Sequence, residues 1–160
     1  MADVLEKRTK KSKIGPNSVS LAGEFAVLSQ LALRGYDANM TLGNTKRVDI
    51  LVSHPRTLKM FQLEVKTNFK SERKKPRQSK IHGVFLSDWI MHKEHETVTA
   101  ANLFYCFVNI GRNTNSFKFY IVPSKVVAKY VREEHALWLK VSKKIGKKVK
   151  DTICAFFGLA

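Results

Sequence analysis

Arg47-Val48-Asp49-Ile50-Leu51-Val52 and Gln62-Leu63-Glu64-Val65-Lys66 are the two stretches on which the reading of this chain turns. Successive side chains of an extended strand alternate between two faces, so Gln62, Glu64 and Lys66 share one face, and Phe61, Leu63 and Val65 share the other. By the same parity Asp49 points away from Val48, Ile50 and Val52. Ser53, His54, Pro55, Arg56 and Thr57 supply a turn that returns the chain antiparallel, which sets Asp49 beside Glu64. With Tyr36 to Leu42 as an earlier strand and Gly43-Asn44-Thr45 as its turn, the three strands form a meander.

Two carboxylates converging from neighbouring strands suit a hard cation such as Mg²⁺, with Mn²⁺ as a substitute, because such ions take oxygen ligands and keep waters for substrate and nucleophile. Lys66 beside them is placed to orient an attacking water and to neutralise charge on phosphorus. Gln62, on the same face, has the reach to orient a water or a phosphate. The same Glu-x-Lys pattern also describes an ordinary solvated sheet face with an ion pair. The apolar surroundings of both stretches and the charge of the chain favour the catalytic alternative.

That charge is large. Lys and Arg number 29 against 13 Asp and Glu in 160 residues, a formal net charge of +16, which favours a polyanionic partner, DNA first. The length is that of one domain. Cys106 and Cys154 form no Cys-x-x-Cys pair, so neither a zinc ribbon nor a disulfide framework is indicated, and the chain reads as cytoplasmic. Met1 to Lys13 is charged and lacks the apolar stretch of a signal peptide, and no apolar run reaches membrane-spanning length.

Outward from the two stretches, residues 1–17 carry Lys7, Arg8, Lys10, Lys11 and Lys13 and read as a mobile basic arm, leaving 18–160 as a single domain. Ser18 to Arg34 is a helix in which Leu21, Phe25, Leu28 and Ala32 form the apolar stripe, Asn17, Ser18 or Ser20 caps the start and Gly35 ends it. Glu24 falls at the edge of that stripe, either facing the site or favoured in the first turn by the helix dipole. Lys70 to Lys80 is too polar to pack and reads as a phosphate-meeting loop, with Lys70, Arg73, Lys74, Lys75, Arg77 and Lys80 as its contacts. Phe85 to His95 reads as a helix and Leu103 to Ile110 as a buried strand. Phe117 to Val122 reads as its hairpin partner, and Pro123 as the opening of a helix through Trp138. Ser142 to Leu159 reads as a last helix, packed on the domain rather than on a membrane surface.

Other chemistries find little support. His92 and His95, followed by Glu96, lack a third ligand in any zinc pattern and read as an exposed polar helix end. Ser18, Ser29 and Ser87 sit in no nucleophile elbow, and Cys106 lies in an apolar run where a thiol is inert. No phosphate-binding glycine loop occurs, so no nucleotide or other small-molecule cofactor is expected.

The order of helix with Glu24, strand, strand with Asp49, strand with Glu64-Val65-Lys66, then helix and further strands resembles the PD-(D/E)XK nuclease superfamily over roughly residues 18–122. Val48 stands where the motif often has Pro. The resemblance implies a restriction-endonuclease-like αβββαβ core, with a mixed sheet of about five strands flanked by helices and extra helices at the C-terminus. It further implies metal ligation by Asp49, Glu64 and the Val65 carbonyl, Lys66 as the catalytic amine and Glu24 as the acidic residue of the first helix. The activity implied is Mg²⁺-dependent hydrolysis of DNA phosphodiesters. Because one site cuts one strand, cutting a duplex favours a homodimer. The alternative is a protein of the same fold that binds DNA or RNA without cutting it.

Overall fold

The computed structural model describes residues 14–41, 47–70, 77–85, 87–112, 114–144 and 153–159. Helix α1 (Pro16–Ala32) leads into strands β1 (Asp37–Met40), β2 (Ile50–Ser53) and β3 (Met60–Lys70). A hairpin of β4 (Arg77–Ser79) and β5 (Gly83–Phe85) follows, then β6 (Ser87–His92) and a short 3-10 helix (Lys93–Glu96). The chain continues through β7 (Leu103–Gly111), β8 (Phe117–Pro123), α2 (Ser124–Lys144) and β9 (Ile153–Leu159). Five strands make one mixed sheet in the order β1-β2-β3-β7-β8, antiparallel except for the parallel β3–β7 pair. This is the α/β class and the helix-flanked sheet that the sequence leads one to expect. The meander is present, with Ile50 opposite Leu63 and Val52 opposite Phe61.

Alternation along the strands sorts the core into two layers. Ile50, Val52, Leu63, Val65, Cys106, Val108 and Ile110 meet Val27 of α1 on one face. On the other, Tyr105 and Phe107 meet Trp89 and Met91 of β6 and Val127, Tyr130 and Val131 of α2. The spacing i, i+3, i+4 in α2 is that of one helical face.

Helix α1 lies closer to the sheet than its stripe suggests. Leu21 and Phe25 are exposed, Phe25 by 59 %, and the buried residues are Gly23 and Val27. The helix is apolar on most of its circumference, so hydrophobicity alone does not select a face. Close approach selects it: a Cβ on Gly23 would fall 1.8 Å from Thr67 Oγ1 and 2.8 Å from Thr67 Cβ. The expected caps are also displaced. Gly15 takes the N-cap position and Pro16, whose missing N–H costs nothing there, opens the helix. Asn17, Ser18 and Ser20 lie inside it, so residues 16 and 17 belong to the domain rather than to a basic arm; residues 1–13 lie outside the described residues. Gly35, at φ +76°, ends the helix as expected, and Gly35 N–H to Ala32 carbonyl and Tyr36 N–H to Leu31 carbonyl are the paired bonds of a Schellman ending.

Two segments expected to be helical are strands. Phe85 to His95 contains β5's last residue, β6 and the 3-10 helix. Phe85, Trp89 and His92 fit a helical period, but Trp89 and Met91 inward with Ile90 and His92 outward fit a strand equally well. The partner decides: β6 pairs antiparallel with β9, Trp89 opposite Phe157. Ser142 to Leu159 is correspondingly not one helix. Its first three residues finish α2 and 153–159 form β9, a run of Ile, Cys and Phe whose preference is extended; 145–152 lie outside the described residues. Pro123 closes β8 rather than opening α2, which runs past Trp138 to Lys144. Among the described residues no helix is long and apolar enough to cross a membrane.

Candidate active site

β2 pairs with β3 only from Met60 to Leu63, so β3 outruns its neighbour at Glu64. Asp49, just before β2, fills the gap. Its N–H donates to the Leu63 carbonyl at 2.8 Å, and its Oδ2 accepts the Val65 N–H at 2.6 Å, replacing the ladder bond that β2 no longer supplies. Thr41 ties the same corner, donating from Oγ1 to the Val48 carbonyl at 2.6 Å.

Glu64 is 5 % exposed, on the sheet face opposite α1. Its Oε1 lies 2.6 Å from Lys66 Nζ and 3.2 Å from His95 Nε2. Glu64 Oε2 is buried and has no hydrogen-bond partner among the described residues. His95, 2 % exposed, is the site residue that sequence reasoning placed wrongly, on an exposed helix end. The 3-10 helix turns its ring inward, and His95 Nδ1 lies 3.0 Å from the His92 N–H nitrogen. The same nitrogen lies 2.9 Å from the His92 carbonyl oxygen, so His92 holds Nδ1 through its own backbone while Nε2 faces the Glu64 carboxylate. Tyr105, opposite Glu64 on β7, closes the deep side. Burial first, and the negative charge of Glu64 second, raise its phenol above its ordinary range, so it stays neutral.

The three carboxyls do not share one environment. Burial raises Asp49, the Val65 N–H bond opposes this, and the charge of Glu64 adds to the rise while that of Lys66 reduces it. Glu24, on α1 and half-buried, is likewise raised, by burial and then by the charge of Asp49, against a hydrogen bond donated by Ser20 Oγ at 3.2 Å. The Glu24 carboxyl therefore feels the Asp49 carboxylate across the gap between helix and sheet. For Glu64 burial pushes upward, but the His95 bond and the Lys66 ammonium together outweigh it and hold the carboxyl below the ordinary range. Gln62 is half-buried one strand repeat before Glu64, its N–H donating to the Asn102 carbonyl at 2.8 Å.

The expected phosphate loop is partly structured. Lys70 ends β3, and its Nζ lies 2.9 Å from Asp88 Oδ1; Arg77 opens β4 opposite Phe85, and Lys80 is exposed in the turn that follows. Arg73, Lys74 and Lys75 lie outside the described residues.

Among the described residues no three His, Cys, Asp or Glu side chains are close enough to cage an ion unaided. Mg²⁺ does not require such a cage, since one or two carboxylates, waters and a substrate phosphate commonly complete its shell. The buried, unpartnered Glu64 Oε2 and an Asp49 carboxyl that feels the charge of Glu64 are oxygen donors of the kind that suits a hard divalent cation.

No protein-family model matches this chain, and no curated protein matches it. Among solved structures it is similar to that of a bacterial homing endonuclease, at 14 % identity and a TM-score of 0.46, over 74 % of this chain and 72 % of that one.

Proposed function

We propose that this chain is a metal-dependent endonuclease of the PD-(D/E)XK type, hydrolysing phosphodiester bonds in DNA. One observation carries the reading: at the point where β3 outruns β2, a buried carboxylate (Glu64) and an ammonium (Lys66) lie 2.6 Å apart, and a second carboxylate (Asp49) is fastened to the Val65 N–H between them. An ordinary sheet face would leave such a pair in solvent, where it contributes little. Here Glu64 is withdrawn from water and tied to His95, an expense that a merely stabilising ion pair does not repay.

Asp49 and Glu64 would hold the cation, and the Val65 carbonyl is a further oxygen within the same turn of chain. When bound, the ion supplies Lewis acidity toward a phosphoryl oxygen and acidifies water. Lys66 donates hydrogen bonds to the attacking water and to the phosphoryl oxygens, stabilising the charge that develops in the transition state. His95 orients Glu64 by occupying Oε1 and leaving Oε2 to other partners. Gln62 is a candidate for holding a water or phosphate oxygen on the same face. Glu24 adds negative charge beside Asp49 and raises the affinity of the corner for a cation. Basic residues, Lys70 and Lys80 among those whose side chains are described, bind the backbone without reading bases.

The test is cleavage. The purified chain nicks or cuts plasmid DNA with Mg²⁺ or Mn²⁺ and not with a chelator, and Lys66→Ala removes cutting while binding persists. Binding by the intact chain without any cutting, across divalent ions, would leave a nucleic-acid-binding protein of this fold in its place.

A further inference from the structure

Past Lys66 the free edge of β3 opens into a cleft of about 370 Å³. We infer that this cleft holds one unpaired nucleotide of the substrate strand, beside the phosphodiester that Lys66 addresses, so that the chain selects nucleic acid containing unpaired bases over blunt duplex. The inference rests on the nucleic-acid reading above but does not depend on cleavage.

Three features of the cleft ask for different parts of a nucleotide. The first is charge. Lys66, itself paired to Glu64, stands at one end, and Lys70 and Arg112 also line the cleft, against one carboxylate among its described lining residues, Asp88, which is 1 % exposed and already paired to Lys70 at 2.9 Å. Four strand residues span roughly 13 Å, so Lys66 and Lys70 address different phosphates rather than the same one. The second is an apolar wall formed by Pro16 and Val19 of α1 and by Phe69, over whose ring the Arg112 guanidinium sits 5.3 Å from the centroid. A hydrated duplex backbone has no use for such a wall, whereas an unstacked base packs on apolar side chains and on guanidinium planes.

The third is Asn68, which lines the cleft and is 7 % exposed. Its Nδ2 donates to the Asp88 carbonyl at 3.0 Å, which fixes the amide's orientation, and its Oδ1 has no partner among the described residues. A buried acceptor without a donor is costly. Phosphate oxygens only accept and cannot satisfy it; the N–H groups on a base edge can, once the entering base displaces the side chains that cover it. Cations for the backbone, a wall for a ring and an acceptor for an N–H together describe a nucleotide, and the base has to be out of the duplex to reach them.

The experiment is binding in EDTA, read by fluorescence anisotropy, of one labelled sequence presented as a blunt duplex, as a duplex with a single-stranded tail and as a bulged duplex. The intact chain binds the tailed and bulged forms about tenfold more tightly, the scale of one stacked base. Arg112→Ala, an exposed position whose loss spares the core, brings the ratio toward one while blunt-duplex affinity changes by no more than about twofold, the scale of one rim charge. Val19→Trp, which fills the cleft, does the same, with circular dichroism confirming that each variant folds. Equal affinities of the intact chain for all three forms overturn the inference, as does a parallel loss by Arg112→Ala on every form. Failure to cut any DNA with Mg²⁺ or Mn²⁺ would remove the nuclease reading and leave this ratio standing.

Discussion

The two faces of the five-stranded sheet are built to different rules. Toward α1 the buried side chains are hydrocarbon and one thiol, from Val27 through Ile50, Leu63 and Val65 to Cys106, Val108 and Ile110, with the buried Thr67 hydroxyl against Gly23 as a polar exception. Toward β6 and α2 the aromatic cluster is interrupted by buried Glu64, Asn68, Asp88, His95, Asn109 and His135. A buried polar group has to be satisfied or it subtracts from stability. One face therefore holds the sheet together, and the other gives up part of that stability to bury polar groups. The contrast explains why β3, which supplies both faces, can carry a buried ion pair without losing its place: Leu63 and Val65 fix the strand on which Glu64 and Lys66 alternate.

The widest separation between the faces is in turnover. Lys66→Met or Glu64→Gln lowers cleavage by about 10²–10⁴-fold, the scale of losing one preorganised donor or orienting group. Ile110→Ala on the α1 face costs about 2–5 kcal/mol of stability and leaves cleavage of the folded fraction unchanged. Plasmid nicking alongside thermal melts reads both. An Ile110 variant that folds but does not cut would erase the distinction.

The next effect tests how tightly α1 is seated. Gly23→Ala improves helix propensity by about 1 kcal/mol, but the new methyl meets Thr67 Oγ1 at 1.8 Å and Thr67 Cβ at 2.8 Å. Overpacking costs about 1–3 kcal/mol, and rotating Thr67 cannot move its Cβ, so the net change is destabilising. Thr67→Ala removes Oγ1 and leaves Cβ, and so restores only part of the loss in a double variant. Full rescue in denaturant melts would show that α1 is loosely held and that Glu24 is not positioned by it.

What the sequence made legible follows the same division. The meander and its polar positions were readable because Asp49, Glu64 and Lys66 break apolar runs at strand parity, a local signal. The buried side of α1 was not, because Leu21, Phe25 and Val27 are alike in hydrophobicity and only the approach of Thr67 to Gly23 distinguishes them. His95 is hidden from the sequence by the segment that precedes it. A helix over Phe85 to His95 leaves the ring outside; β6 as a strand paired to β9 lets the following 3-10 helix swing it onto Glu64, 31 residues away in sequence. No periodicity within residues 85–95 reports a partner strand near residue 157. The cleft was likewise invisible, since Val19, Asn68 and Arg112 meet only after β2 has stopped short.

Smaller, and of opposite sign at two neighbouring carboxyls, are the effects of removing charge. Asp49 has a raised pKa in the folded state, so the stability tied to its protonation is complete below its unfolded value and lost as pH rises through the folded one; at neutral pH its charge is carried at a cost. Asp49→Asn keeps an oxygen for the Val65 N–H and removes that cost, raising Tm while abolishing cleavage. Glu64 has a lowered pKa, so its contribution is present above the unfolded value and lost as pH falls through the folded one. Glu64→Gln accordingly lowers Tm. Mg²⁺ raises the Tm of the intact chain and not that of Asp49→Asn. If both substitutions shift Tm in the same direction, the two carboxyls occupy equivalent environments and the division of roles between them fails.

The least perturbing test addresses the hydrocarbon face directly. Burial pushes the Cys106 thiol up to about 12, and Val65 and Ile121 flank it on β3 and β8. A thiol that hardly ionises at pH 8 and has no path to solvent reacts only from an opened state. Maleimide labelling of Cys106 in the native chain is therefore slow, follows global unfolding, and accelerates in Gly23→Ala in proportion to its lost stability. Fast native labelling at this position would mean that water reaches the α1 face. The polar groups of the opposite face would then be no more costly than their neighbours, and the inference from their burial to their use would lose its footing.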